Sequence, residues 1–142
     1  MRVTWASAAE ILPGAWLWPH IDPAREWADS ASGALVVETE FLSRLESLRA
    51  DLGWPLIITS GYRTPAHNAA ISTTGEDGPH TTGRAVDIKI HGSRALELIA
   101  AATDLGFTGF GLQQRGPVGT RYVHLDDLPS TLTRPRPWVW TY

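Results

Sequence analysis

Two histidines and one aspartate carry most of the chemistry that this chain of 142 residues can be read to contain. His80 and Asp87 sit seven positions apart in Gly78-Pro79-His80-Thr81-Thr82-Gly83-Arg84-Ala85-Val86-Asp87, and His124 sits in Tyr122-Val123-His124-Leu125-Asp126. Two imidazoles and a carboxylate are a ligand set for catalytic zinc, which takes three protein groups and keeps a fourth place for water. The reaction such a set implies is metal-assisted hydrolysis. Asp87 falls inside the apolar run Ala85-Val86-Asp87-Ile88, where a lone ionised carboxylate is costly to bury. A metal or a strong cation removes that cost; a pairing with Arg84 or Lys89 at the sheet edge is the plainer alternative. Gly83 gives the backbone the freedom to bring His80 and Asp87 together. His124 lies between Val123 and Leu125 and points away from their face in a strand, which suits a ligand or a satisfied core histidine equally.

The elements that position these residues are legible in outline. Phe41, Leu45, Leu48 and Leu52 fall at helical spacing, with Glu40, Arg44, Glu46 and Arg49 kept off the stripe. Thr39 is the expected cap and Gly53 the stop. Pro55 to Ser60 reads as a buried strand, Gly61-Tyr62-Arg63 as a turn, and Thr64-Pro65 as the capped start of a short helix. Residues 72–79 form a polar, glycine-rich loop. Residues 85–90 read as a second strand and 93–105 as an amphipathic helix ended by Gly106. Residues 107–113 and 121–125 pair as a hairpin around Gly116-Pro117-Val118-Gly119. Mixed helices and strands with an antiparallel hairpin give an α+β class. The expected architecture is one domain over 1–142: a small antiparallel sheet carrying the metal site, flanked by helices. Residues 1–37 are expected to be an irregular wrap whose Trp5, Trp16, Trp18 and Trp27 fill grooves, or else an exposed aromatic binding face.

Composition narrows the choice of function. An apolar fraction of 43% and a charged fraction of 19% are those of an ordinary globular domain, long enough to bury a core unaided. A net charge of -3, with Lys89 the sole lysine, argues against nucleic-acid binding, which needs clustered cations. The absence of cysteine excludes disulfides and thiolate metal sites. No run is long enough to span a membrane. The start of the chain lacks the apolar core of a signal peptide, so an extracytoplasmic target would be reached through lysis or on a particle.

Three separated blocks resemble one family. Thr59-Ser60-Gly61-Tyr62-Arg63-Thr64-Pro65, His80-x-x-Gly83-x-Ala85-x-Asp87 and Val123-His124-Leu125-Asp126 are similar to the M15 metallopeptidases, which include D-Ala-D-Ala carboxypeptidases and phage endolysin-type murein peptidases. The order of segments agrees too, and the resemblance covers roughly residues 33–142, closest to the compact phage-type forms. It implies a Zn2+ ion bound by His80, Asp87 and His124, and peptidoglycan stem peptides as substrate. Other phage particle proteins are implied as partners of a wall-lysing enzyme made in the cytoplasm without a signal peptide. Arg63 would stabilise the oxyanion or hold a substrate carboxylate, with Ser60 and Tyr62 beside it at the substrate side, supporting the turn rather than reacting.

Two positions depart from the family pattern. An acidic residue common three positions before the last histidine is Arg121 here, which cannot accept a proton. Asp126, on the same strand face as His124, is then either the general base or a partner that orients a ligand; Glu76 and Asp77 in the loop are further candidates. A serine common two positions before the first histidine is Gly78 here. Asp127 is expected to face the other way, and His20, His67 and His91 to lie outside the metal site, His67 at the surface. Two other functions stay open: a non-catalytic structural or wall-binding member of the same fold, and a metal-independent binding module using Trp5, Trp16, Trp18, Trp138 and Trp140.

Overall fold

Phe41, Leu42, Leu45 and Leu48 recur at helical spacing, and Thr39–Leu52 folds as α1 with these four buried. The computed structural model describes all residues, Met1–Tyr142. Gly53 ends α1 at φ 72°, a left-handed conformation that favours glycine. Thr39 is not the cap: Glu38 precedes the helix, and the Thr39 hydroxyl instead accepts from the N-terminal amine at 3.0 Å. α2, Pro65–Ile71, begins as its sequence dictates, with the Thr64 hydroxyl accepting the His67 N–H and proline at the first position. α3, Gly92–Asp104, buries Ala95, Leu98 and Ala102.

Seven strands complete the α+β fold: β1 Arg2–Trp5, β2 Leu35–Glu38, β3 Ile58–Ser60, β4 Ala85–Lys89, β5 Gly109–Gln113, β6 Tyr122–Asp126 and β7 Trp138–Thr141. The main sheet has the order β3-β4-β6-β5-β7, antiparallel except for the β5–β7 pair. The expected hairpin is the β5–β6 pair at its centre. The expected strand over 55–60 is confined to Ile58–Ser60; Pro55 lacks an N–H for a ladder, and Ile57 is 57% exposed.

The first 37 residues differ from the irregular wrap expected of them. Leu35, Val36 and Val37 are buried, so their backbone groups need partners inside the protein. Arg2–Trp5 supplies them as an antiparallel strand, Val3 opposite Val37. The expected groove-filling role of the tryptophans holds: Trp27 is fully buried and donates its indole N–H to the Val36 carbonyl at 2.8 Å.

Alternation divides the main sheet into two faces. Val86, Ile88, Val123, Leu125 and Phe110 join the apolar side chains of α1 and α3 in one core of 23 buried residues. On the opposite face, one row across the sheet reads Asp87, His124, Gly111 and Trp140, from β4 through β6 and β5 to β7. The next row reads Ala85, Asp126, Gly109 and Trp138. Asp127, just past β6, turns away as expected. Its fully buried carboxylate accepts two hydrogen bonds from Arg84, both 2.8 Å, and one from Arg44 at 2.6 Å. A buried charge of this kind must be paired to be tolerated, and the pairing ties α1 to the sheet.

Candidate metal centre

His80, Asp87 and His124 converge from three different elements, each offering one ligand atom, with all three atoms within 4.8 Å of one another. A 3-10 turn at Pro79–Thr82 carries His80, and Gly83 follows it at φ 75°, turning the chain into β4. Asp87 and His124 face each other as Cα partners on β4 and β6. All three are buried. The Nδ1–H of His80 donates to the Gly61 carbonyl at 2.7 Å, leaving Nε2 to face Asp87 Oδ1 at 3.2 Å. His124 places Nε2 3.0 Å from Asp126 Oδ2 and Nδ1 3.1 Å from the same Asp87 Oδ1.

The donor set fits a divalent metal. In the tautomers that direct each imidazole N–H outward, to Gly61 and to Asp126, two nitrogen lone pairs and a carboxylate oxygen point at one another. Three acceptors in that arrangement repel unless a cation stands among them. Their 3.1–3.2 Å separations are close to the edge of a tetrahedron with bonds of about 2.0–2.1 Å, roughly 3.3 Å. Each histidine also has an oxygen on its far nitrogen, the outer support typical of metal-bound imidazole.

Without an ion, the buried charges of the site compensate one another. Burial pushes the Asp87 carboxyl up, but the adjacent His80 and His124 outweigh it and hold the carboxyl well below the usual range. Burial holds His80 below its ordinary value, keeping it a neutral donor. Burial lowers His124 as well, but its hydrogen bonds to the Asp126 and Asp87 carboxylates prevail and raise it, so that without an ion it favours the charged form.

Arg63 braces this group. Its three nitrogens donate to Ser60 Oγ at 3.0 Å, Asn68 Oδ1 at 3.1 Å and Asp87 Oδ2 at 3.2 Å. The charge partner of Asp87 within the chain is therefore Arg63, not Arg84 or Lys89. Asn68 is itself held by Thr74 and the Gly75 carbonyl. That explains Gly78: a Cβ there would collide with the Thr74 hydroxyl and the Asn68 amide, so the serine common in relatives has no room. Ser60 and Tyr62, expected at the substrate, do not line the cleft over the metal group. Ser60 faces Arg63, and Tyr62 packs into the core because the turn at Gly61 directs it inward.

Asp126 is completely buried and fully engaged. Arg136 donates to both of its oxygens, at 2.9 and 2.7 Å, and the Leu128 N–H donates to Oδ1 at 3.3 Å. Burial pushes its carboxyl up, yet His124 and Arg136 hold it at about 2. Of the two roles read for it from sequence, this geometry is that of an orienting partner. Gly109 makes it feasible, since a Cβ there would fall on the Asp126 carboxylate. Gly111 does the same for Trp140, whose ring lies 5.2 Å from that of His124 and under the Arg136 guanidinium at 5.1 Å. His67 differs from its expected surface place: α2 turns it onto buried Asp29, with which it pairs. His20 pairs with Glu46, and His91 begins α3; neither joins the metal group. Arg121 is likewise remote in role, donating to the Gly116 carbonyl at 3.0 Å.

A cleft of about 1140 Å³ opens over the three ligands. Sequence reasoning missed much of its lining. Tyr122 lies on the His124 face of β6, which alternation with His124 and Asp126 could have revealed. Burial, aided by Asp87, pushes its hydroxyl above the ordinary tyrosine value. Nine of the 21 lining residues come from Thr131–Tyr142.

The family model for Peptidase M15 matches residues 21–126. The chain belongs to the M15 peptidase family. No curated protein and no solved structure matches it. M15 peptidases are typically zinc dependent, and membership together with the His80–Asp87–His124 group supports a metallopeptidase. No helix is long and apolar enough to cross a membrane. The match ends at Asp126, so β7 and the arm before it, which close the cleft on one side, lie outside the family segment.

Proposed function

We propose that this chain is a zinc-dependent peptidase that hydrolyses bonds next to D-amino acids in peptidoglycan stem peptides, in the setting of phage or prophage cell-wall lysis. The observation that carries the reading is the convergence of three potential ligand atoms, from His80, Asp87 and His124, in the lining of a cleft of about 1140 Å³. The choice of stem peptides rests on the resemblance of the Ser60–Arg63, His80–Asp87 and Val123–Asp126 blocks to murein peptidases. A zinc ion held by His80, Asp87 and His124 supplies Lewis acidity and a lowered pKa for a bound water.

The chain's own residues divide the remaining work. Arg63, fixed against Asp87, presents positive charge at the cleft floor, where it steadies negative charge developing on the scissile carbonyl. Asp126 orients His124: one of its oxygens faces the His124 imidazole and both are held by Arg136, which leaves it placed to support a ligand rather than to move a proton. Apart from Asp87, the one carboxylate lining the cleft is Asp77. It is the group to take a proton from the attacking water and return it to the leaving amine.

Two substitutions test this division by release of peptides from purified muropeptides. Asp77→Asn is expected to lower kcat by about 10²–10⁴-fold with zinc content intact. Asp126→Asn is expected to weaken zinc binding by about 10–100-fold, with turnover regained in excess zinc. The reverse pattern would return the proton transfer to Asp126. Because Arg121 replaces the usual acid and Asp126 is locked, a non-catalytic wall-binding role is the second reading; full zinc occupancy without cleavage of several peptidoglycan types would establish it.

A further inference from the structure

Three arginines line the cleft, and two of them are committed to carboxylates of the protein: Arg63 to Asp87 and Arg136 to Asp126. Arg134 is different. Its guanidinium makes no ion pair and no hydrogen bond, and its Nε is shielded from solvent without a partner. The two terminal nitrogens are also unpartnered but are not buried, so on the cleft lining they are free to meet an outside acceptor. The backbone fixes where the side chain starts: Thr131 N–H donates to the Arg134 carbonyl at 2.8 Å, and Arg134 N–H to the Thr131 hydroxyl at 3.0 Å. This turn sits on the arm that follows the family-model match, and it shares the cleft lining with Trp138, which is 54% exposed.

We propose that Arg134 is a carboxylate-recognition residue, which makes the enzyme selective for peptides bearing an anionic carboxylate near the bond that is cut. The proposal rests on the peptidase reading and deepens it. A guanidinium matches a carboxylate with two parallel hydrogen bonds, whereas a neutral amide offers it a single oxygen. In a stem peptide the carboxylate has two sources: the chain's C-terminus, or the free α-carboxylate of a γ-linked D-glutamyl residue. Selectivity for the first marks a carboxypeptidase. Selectivity for the second places the cut nearer the glutamyl residue.

The test uses the zinc-loaded full chain and three synthetic peptides: L-Ala-γ-D-Glu-L-Lys-D-Ala-D-Ala, its C-terminal amide, and its D-isoglutamine form. Binding is read before turnover by stopped-flow tryptophan fluorescence, and cleavage by mass spectrometry, for wild type, Arg134→Gln, Arg134→Lys and the exposed control Arg115→Gln. One of the two amide forms should bind wild type about 10–100-fold more weakly than the parent, the range of a charge-assisted pair. Arg134→Gln should bind the parent as weakly and no longer distinguish that amide, Arg134→Lys should recover part of the difference, and Arg115→Gln should match wild type. Equal weakening of all three peptides by Arg134→Gln, no weakening, or absence of binding to wild type would overturn the proposal. If the acid preference is found and lost as described but no peptide is cut, the carboxylate subsite stands and the peptidase reading falls.

Discussion

Both ends of the chain are rich in tryptophan, and they put it to opposite uses. In the N-terminal segment the indoles are structural. Trp27 is fully buried against Phe41, Trp18 donates to Ser43 on α1, and Trp16 donates to the Trp18 and Ile21 carbonyls. Trp16 meets Trp5 at a tilt and Trp18 edge to face, and the three pack over the core. At the C-terminal end, Trp138 and Trp140 stand on the edge strand β7 and line the cleft. Trp140 leans on His124 through the gap left by Gly111. An indole whose N–H is satisfied and whose faces are covered can only stabilise; one left open on a sheet edge beside a metal group can meet a substrate. Residue type alone does not separate the two, but what lies opposite each ring does.

That difference can be broken from either side. Trp27→Ala should cost the most, about 3–5 kcal/mol of stability in urea denaturation, because a fully buried aromatic leaves a cavity. The folded fraction should still bind zinc normally. Trp140→Ala should move stability by only about 1–2 kcal/mol, yet lower kcat/KM on stem peptides about tenfold, equivalent to roughly 1.4 kcal/mol. Equal effects of the two substitutions on activity would erase the distinction.

A smaller, pH-dependent effect belongs to the N-terminal side. Burial pushes the Asp29 carboxyl up, but hydrogen bonds from Ser32 and His67 outweigh it and hold it below its ordinary value. A carboxyl depressed in the folded state contributes stability that is present above its unfolded pKa of about 3.9 and is lost as pH falls through the folded value. Asp29→Asn should therefore reduce the acid-side slope of stability in denaturation measured from pH 6 downward, leaving zinc binding at neutral pH unchanged.

The parts of the site that the sequence disclosed were local ones. His80, Gly83 and Asp87 are close in the chain, so a turn and a strand suffice to bring them together, and the alternation of Val123, His124 and Leu125 fixes which face His124 takes. The α1 stripe, the Thr64-Pro65 start of α2 and the β5–β6 hairpin were legible for the same reason. What was not legible is which distant element lies alongside. Periodicity reports a residue's face and says nothing of its neighbour across space. Hence the β1–β2 pair, the Asp29–His67 contact and the Arg63–Asp87 brace had no local signal. Arg136 is the sharpest case, since a proline-rich arm returns it onto Asp126 and so changes the role open to that carboxylate. The glycine-rich strand Gly109-Phe110-Gly111 is legible in the sequence, but not its purpose: the missing side chains make room for Asp126 and Trp140.

The most direct measurement is metal content alongside muropeptide cleavage in wild type and His124→Ala, both equilibrated with zinc and then dialysed. Wild type should hold about one zinc per chain and release peptides, with both lost in a His124→Ala protein that remains folded. A wild type that retains no zinc, or a His124→Ala variant that keeps a full equivalent, would contradict the zinc assignment.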